Sequence, residues 1–205
     1  MGNTFDEQAS TWDERPDRRE RAERVWNLLK DQLDFNKIKH VLDYGCGTGL
    51  LGYQMVDFAE EITFCDTSKP MLDQVEKKRK DAGYENVKTR WADFTKDDLP
   101  NEKYDLIISM LVLHHVEAID KLIGAFNYVL NKGGKFAWID LDEEDGSFHH
   151  YDDSIPHLGF SKTRLNELMS KFGFKMSFYS TELNIKKEID GEFREYPLFV
   201  MVAEK

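Results

Sequence analysis

Short apolar runs alternate with longer amphipathic stretches along most of this chain. Val25, Leu28, Leu29 and Leu33 recur at helical spacing within a charged segment, which predicts an amphipathic helix. The first apolar run, Ile38 to Asp43, ends in an acid and meets Gly45, Gly47 and Gly49, the pattern of a buried strand entering a glycine-rich turn. A helix is expected from about Leu50. Further strands are predicted at Ile62 to Cys65, Val87 to Trp91, Leu106 to Met110 and Lys135 to Leu141, with helical patterns at Met71 to Lys80 and Ile119 to Leu130 between several of them. The strand runs lack polar alternation, so both sheet faces should be covered by helices, in a mostly parallel, doubly wound α/β arrangement. After a polar stretch from Asp142 to His157, a helix at Lys162 to Lys171 leads to Phe174 to Tyr179 and Leu198 to Ala203, two runs that could pair antiparallel. Asp190-Gly191 is a turn signal between them, within a loop expected to be longer than a tight hairpin.

Composition narrows the partners. At 205 residues, with 40% hydrophobic and 13% aromatic residues, the chain can bury a core and fits one domain better than two. Lys and Arg number 28 against 39 Asp and Glu, and the net charge of -11 would repel a phosphate backbone, so no nucleic-acid partner is expected. Two cysteines, Cys46 and Cys65, are too few for a disulfide framework and fit a reducing compartment, with the cytoplasm as the expectation. Met1 to Gln8 has no apolar core of signal-peptide length, and no run approaches a membrane span, so no membrane partner is expected. The sequence is silent on oligomeric state.

The glycine loop is the most informative segment, because glycines at a strand-to-helix turn let the backbone approach a ligand closely. Gly47, Gly49 and Gly52 satisfy the spacing that seats a dinucleotide pyrophosphate. That spacing begins late relative to the strand, and Asp43 would set a carboxylate against an anionic group. A ligand carrying a sulfonium and an ammonium reverses the sign and makes Asp43 favourable.

Val41-Leu42-Asp43-Tyr44-Gly45-Cys46-Gly47-Thr48-Gly49 resembles the first motif of class I S-adenosylmethionine-dependent methyltransferases, and the downstream pieces, to about Leu141, follow that family's order. The resemblance implies a Rossmann-like, doubly wound, mostly parallel seven-stranded sheet with an antiparallel C-terminal strand. It divides the single domain into an N-terminal lid and helix (1–35), a cofactor core (36–141) and a substrate-side insertion with the C-terminal strands (142–205). It implies that Asp43 lies near the cationic amino-acid end of the cofactor and that Gly45, Cys46, Gly47 and Gly49 flank its methionine moiety. Asp66, followed by Thr67, would accept hydrogen bonds from the two ribose hydroxyls, as a carboxylate can from a vicinal diol. Met71 would pack on the adenine or simply in the core. Asp93 would accept from the adenine amino group, with Ala92 and Phe94 covering the ring, or else cap a turn with Thr95. Met110 ends a strand on the ligand side.

Leu113-His114-His115-Val116 resembles a segment of the small-molecule and ubiquinone-biosynthesis-like branch of that family. Asn-Pro-Pro-Tyr is absent and neither cysteine follows a proline, so direct in-line transfer to a small-molecule acceptor is expected, without a covalent intermediate. His115, and next His114, are candidate bases, or else hydrogen-bonded residues that fix the loop. Glu143-Glu144-Asp145-Gly146-Ser147-Phe148-His149 and His157-Leu158-Gly159-Phe160 resemble stretches of methyltransferase-domain proteins. They put His149, His150 and His157 in a polar substrate lid. With Asp152 these residues are of metal-ligand type, but the spacing matches no familiar site and argues against a metal. Phe5 to Asp13 resembles an opening segment that folds over cofactor or acceptor, making Phe5 and Trp12 lid aromatics, or else a frayed terminus. Two other functions stay open: cofactor binding without turnover, and an NAD-dependent oxidoreductase using the same glycines.

Overall fold

A computed structural model describes residues 4–205. Seven strands form one sheet in the order β3-β2-β1-β4-β5-β7-β6. They are β1 (His40–Tyr44), β2 (Glu61–Asp66), β3 (Val87–Trp91), β4 (Tyr104–Met110), β5 (Leu130–Leu141), β6 (Lys175–Ile189) and β7 (Glu192–Glu204). β1 to β5 are parallel, and β7 runs antiparallel to both β5 and β6. Among the described residues the α-helices are α1 (Thr4–Gln8), α2 (Pro16–Leu29), α3 (Lys69–Ala82), α4 (Ile119–Val129) and α5 (Lys162–Lys171).

The alternation of side chains along each strand divides the core in two. Leu42, Ile107, Phe136 and Trp138 pack with α4 and α5 on one face. Val41, Leu106, Ile108, Ala137 and Ile139 pack with α2 on the other. Both faces are thereby dry, which is why the strands read as unbroken apolar runs. α3 shows how local sequence sets a boundary: the Ser68 hydroxyl accepts from the Met71 amide at 3.3 Å, and Gly83 ends the helix at φ 72°.

Two expectations need correction. The segment after the glycine loop forms a single 3₁₀ turn, Gly52–Met55, rather than a helix from Leu50. Gly49 at φ 83° and the poor helix former Gly52 interrupt it, and the Asn86 side chain then donates to the Val56 and Ala59 carbonyls. The C-terminal hairpin is also tighter than expected. Ile189 pairs with Glu192, leaving Asp190-Gly191 as a two-residue turn with both φ values positive, 53° and 82°.

Strand order reverses between β1, which leads outward to β2 and β3, and β4, which leads the other way. In open α/β sheets ligands occupy the crevice at the carboxyl ends of such strands. Among the described residues no helix is long and apolar enough to cross a membrane.

Candidate active site

The loops after β1 and β4 touch at this reversal. Gly45, Gly47 and Gly49 adopt φ values of 67°, 54° and 83°, and a Cβ added to Gly45 would fall 2.4 Å from Val112 Cγ2. Gly45→Ala combines that overlap with left-handed strain, so its expected cost is about 2–4 kcal/mol by urea denaturation. A loss below about 1 kcal/mol would show that the two loops separate freely.

The Gly45 and Cys46 amides both donate to the Cys65 carbonyl, at 2.7 and 3.0 Å, which turns the loop toward β2. There Asp66 Oδ2 accepts from the Gly47 amide at 2.7 Å and Oδ1 from the Ser68 amide at 2.8 Å. A carboxylate has about four acceptor positions, so these bonds do not exhaust its capacity to accept. Burial pushes the Asp66 carboxyl up against these bonds. Asp43, buried at the end of β1, accepts from the Gly52 amide at 3.1 Å. Burial first, and then the charge of Asp66, pushes its carboxyl up to about 8. A cation beside Asp43 would relieve that cost.

The other cofactor candidates fall into two groups. Thr67 is exposed beside Asp66, with its carbonyl accepting from the Trp91 indole at 2.8 Å, and this holds an otherwise exposed ring at the end of β3. Ala92 and Met110 are partly buried at the ends of β3 and β4, and Met71 brings its sulfur to 4.0 Å from the Cβ position of Gly47. Phe94 differs from expectation: its fully buried ring packs on Tyr44 at 5.1 Å, inside the core rather than over a ligand. The Asp93 carboxylate binds the Thr95 amide and hydroxyl at 2.9 and 2.6 Å and pairs with Lys96 at 2.9 Å, so it makes the turn cap.

The N-terminal segment lies across this loop. Asp6 accepts from the Ser68 hydroxyl at 2.5 Å, and Asp13 accepts from the Thr48 hydroxyl at 2.5 Å while pairing with Lys78. Phe5 stands 5.8 Å from Trp12 and edge-on to His115 at 5.7 Å. The N-terminal segment therefore reaches both halves of the site, through Asp6 and Asp13 on one side and Phe5 on the other. Asp6 and Asp13, the anchors, are two acids of the opening segment whose resemblance assigned a role only to its aromatics.

Three of the candidate histidines meet. His114 and His115 follow β4 in a 3₁₀ turn and His149 follows β5 in another, with ring centroids 4.1, 5.0 and 5.1 Å apart. Asp140, fully buried near the end of β5, holds His114 in place and was not singled out from sequence. It accepts from five donors: the Leu113, His114 and Leu141 amides, the Trp138 indole and His114 Nδ1, the last at 2.5 Å. Burial opposes ionisation of Asp140, but the hydrogen-bonded His114 ring, the Leu141 amide and the Trp138 indole outweigh it and hold the carboxyl below its ordinary value. Burial, then the neighbouring His114 and His149 rings, lower His115 to about 3. So weak a proton acceptor makes a poor general base near neutrality.

The remaining two histidines do other things. His150 is exposed at φ 55°, turned away from the group. His157 ties loops together, its Nε2 3.0 Å from the Val116 carbonyl and its Nδ1 3.2 Å from Arg164.

With this geometry in hand, the methyltransferase-domain family profile matches residues 35–195. The chain belongs to that family. It is 31% identical over 99 residues to the uncharacterized methyltransferase Rv0089 of Mycobacterium tuberculosis, covering 47% of this chain and 48% of that protein. It is 31% identical over 102 residues to an uncharacterized methyltransferase of Anoxybacillus flavithermus, covering 49% and 46%. The chain spans about half the length of the curated relatives it matches. Among solved structures, the YcgJ protein of Bacillus subtilis superposes with TM-score 0.72 at 16% identity, covering 89% of this chain and 97% of that one. A Listeria monocytogenes protein assigned as an S-adenosylmethionine-dependent methyltransferase superposes with TM-score 0.68 at 18% identity, covering 88% and 97%.

The site fits the cofactor of the class I methyltransferases. Around Gly47, the nearest atom to an added Cβ is that sulfur of Met71, so its backbone is open to a ligand. Two carboxylates flank it, suited to a cation and a diol. A pyrophosphate is less well served in this methyltransferase-domain protein. The 3₁₀ turn of Gly52–Met55 lacks the long helix dipole that would receive the anion, and Asp43 stands behind the loop.

Proposed function

We propose that this chain transfers the methyl group of S-adenosylmethionine to a small-molecule acceptor by direct in-line displacement. The observation that carries the proposal is the pair Asp43 and Asp66 on either side of an open glycine loop at the strand-order reversal. When bound, the cofactor supplies a methyl group activated by its sulfonium. Asp66 offers its remaining acceptor capacity to the ribose diol, and the ionised Asp43 balances the cationic amino-acid end. Trp91, Ala92 and Met71 border the adenine side, with the Asp93 turn as its outer wall. The lid carrying Phe5 and Trp12 excludes water and aligns the acceptor against His115. The net charge of -11 favours a small acceptor over nucleic acid.

This account has a pH signature. Without ligand, Asp43 keeps its proton up to about pH 8, whereas the cation favours the carboxylate. Binding below that pH therefore releases a proton, and affinity rises with pH. Between pH 6 and 7.5 the expected gain is about 20-fold when the bound carboxyl is fully ionised, with proton release visible as a buffer-dependent binding enthalpy. A flat profile would mean that Asp43 does not face the cation.

The acceptor class is tested by incubating the protein with methyl-labelled S-adenosylmethionine and separate metabolite, RNA and protein fractions of a cell extract. Label entering the metabolite fraction supports the proposal, and label confined to RNA or protein overturns the acceptor class. The second reading, cofactor binding without turnover, predicts no label transfer from a protein that still binds S-adenosylhomocysteine.

A further inference from the structure

The geometry points to a divalent transition-metal site formed by the imidazoles of His114, His115 and His149. One nitrogen from each lies within 4.8 Å of the other two. Zinc-type ions bind imidazole nitrogen at about 2.0–2.1 Å, so closing this triangle on an ion moves each ring by about 1 Å at most.

The tautomer of His114 gives the arrangement its direction. Its Nδ1 faces the Asp140 carboxylate, which can only accept, so Nδ1 carries the proton and Nε2 presents a lone pair. His114 is 2% exposed, and its Nε2 has no hydrogen-bond partner. His149 Nε2 is likewise buried and unpartnered. Leaving a buried polar atom without a partner costs about 1–3 kcal/mol, and one shared electrophile would satisfy both nitrogens. A carboxylate behind a histidine that faces an ion is the outer arrangement that fixes ring orientation in metal centres. Asp140 itself is fixed by three backbone amides and the Trp138 indole.

The loop bearing His149 is anchored independently. Glu144 accepts from the Gly146 and Phe148 amides at 2.8 and 3.1 Å, and the Ser147 hydroxyl meets Tyr196 at 2.7 Å. Three neutral imidazoles select zinc, cobalt or nickel over magnesium or calcium. They also leave a fourth position for an acceptor's oxygen or sulfur. That last role rests on the methyl-transfer proposal, whereas the metal site does not. His149, His150, Asp152 and His157 on one segment match no familiar metal spacing, whereas these three ligands come from the ends of two neighbouring strands.

The test uses the full chain purified without a histidine tag, stripped with chelator and titrated with cobalt chloride. The expected result is one cobalt per chain with the strong visible absorption of a four-coordinate ion, displaced by zinc. His149→Ala, in a surface turn, should weaken binding at least about 100-fold, and Asp140→Asn by about 10- to 100-fold. Thermal melting checks that each variant folds, and His115→Gln replaces any that does not. No stoichiometric cobalt binding by the wild-type protein, or equal binding by the His149 variant, overturns the site. S-adenosylhomocysteine affinity is measured in the same samples. Its loss from the wild-type protein would refute the methyltransferase account and leave the metal result standing.

Discussion

Asp66→Ala is expected to lower S-adenosylhomocysteine affinity at least about 100-fold in a calorimetric titration. Hydrogen bonds to a charged group contribute about 1.5–3 kcal/mol each, and the ribose diol would lose two of them. The same carboxylate holds the Gly47 and Ser68 amides, so the alanine variant also releases the loop. Asp66→Asn separates the two effects. It keeps one acceptor oxygen and should retain the fold while losing about tenfold in affinity. Unchanged affinity in both variants would remove Asp66 from the cofactor site.

The second large effect is on stability. Asp140→Ala strips the partner from five donors in a fully buried position, including the His114 imidazole. Removing one side of a buried, hydrogen-bonded pair costs on the order of 3–5 kcal/mol. Chemical denaturation should show a loss of that size, with near-ultraviolet circular dichroism reporting the released Trp138. A loss under about 1 kcal/mol would mean that water or backbone rearrangement satisfies the donors, and that Asp140 is not what holds the β4 and β5 ends together.

The sheet was legible because its central strands are buried on both faces. Runs such as Leu106 to Met110 need no polar alternation, so the apolar pattern marked them with little ambiguity. The C-terminal hairpin was read too short for the converse reason. The outer parts of β6 and β7, around Lys186, Lys187, Glu192 and Arg194, are largely solvent-facing and look like loop. Asp190-Gly191 nevertheless carried the turn type. The helix expected after the glycine loop failed on Gly49 and Gly52, whose job is close approach rather than helix formation: a Cβ on Gly52 would stand 2.6 Å from Asp43 Oδ2.

The site was half legible. Asp43, the glycines and Asp66 follow from strand ends and loop chemistry, and the structure brings them together. Phe94 could not be distinguished from a ligand-facing aromatic, since a ring at a strand end packs inward or outward according to the strand's twist. The histidine group depends on which strand ends are neighbours. β4 pairs with β5, and this brings His149 to His114 across 35 positions of sequence while leaving His150 on the outside. Asp140 had no signal but its type and its place near the end of a parallel strand.

The central claim is tested most directly by calorimetric titration of the wild-type protein with S-adenosylhomocysteine and, separately, with NAD. The account predicts saturable one-to-one binding of the adenosyl ligand and none of NAD. Binding of NAD alone, or of neither, would contradict it.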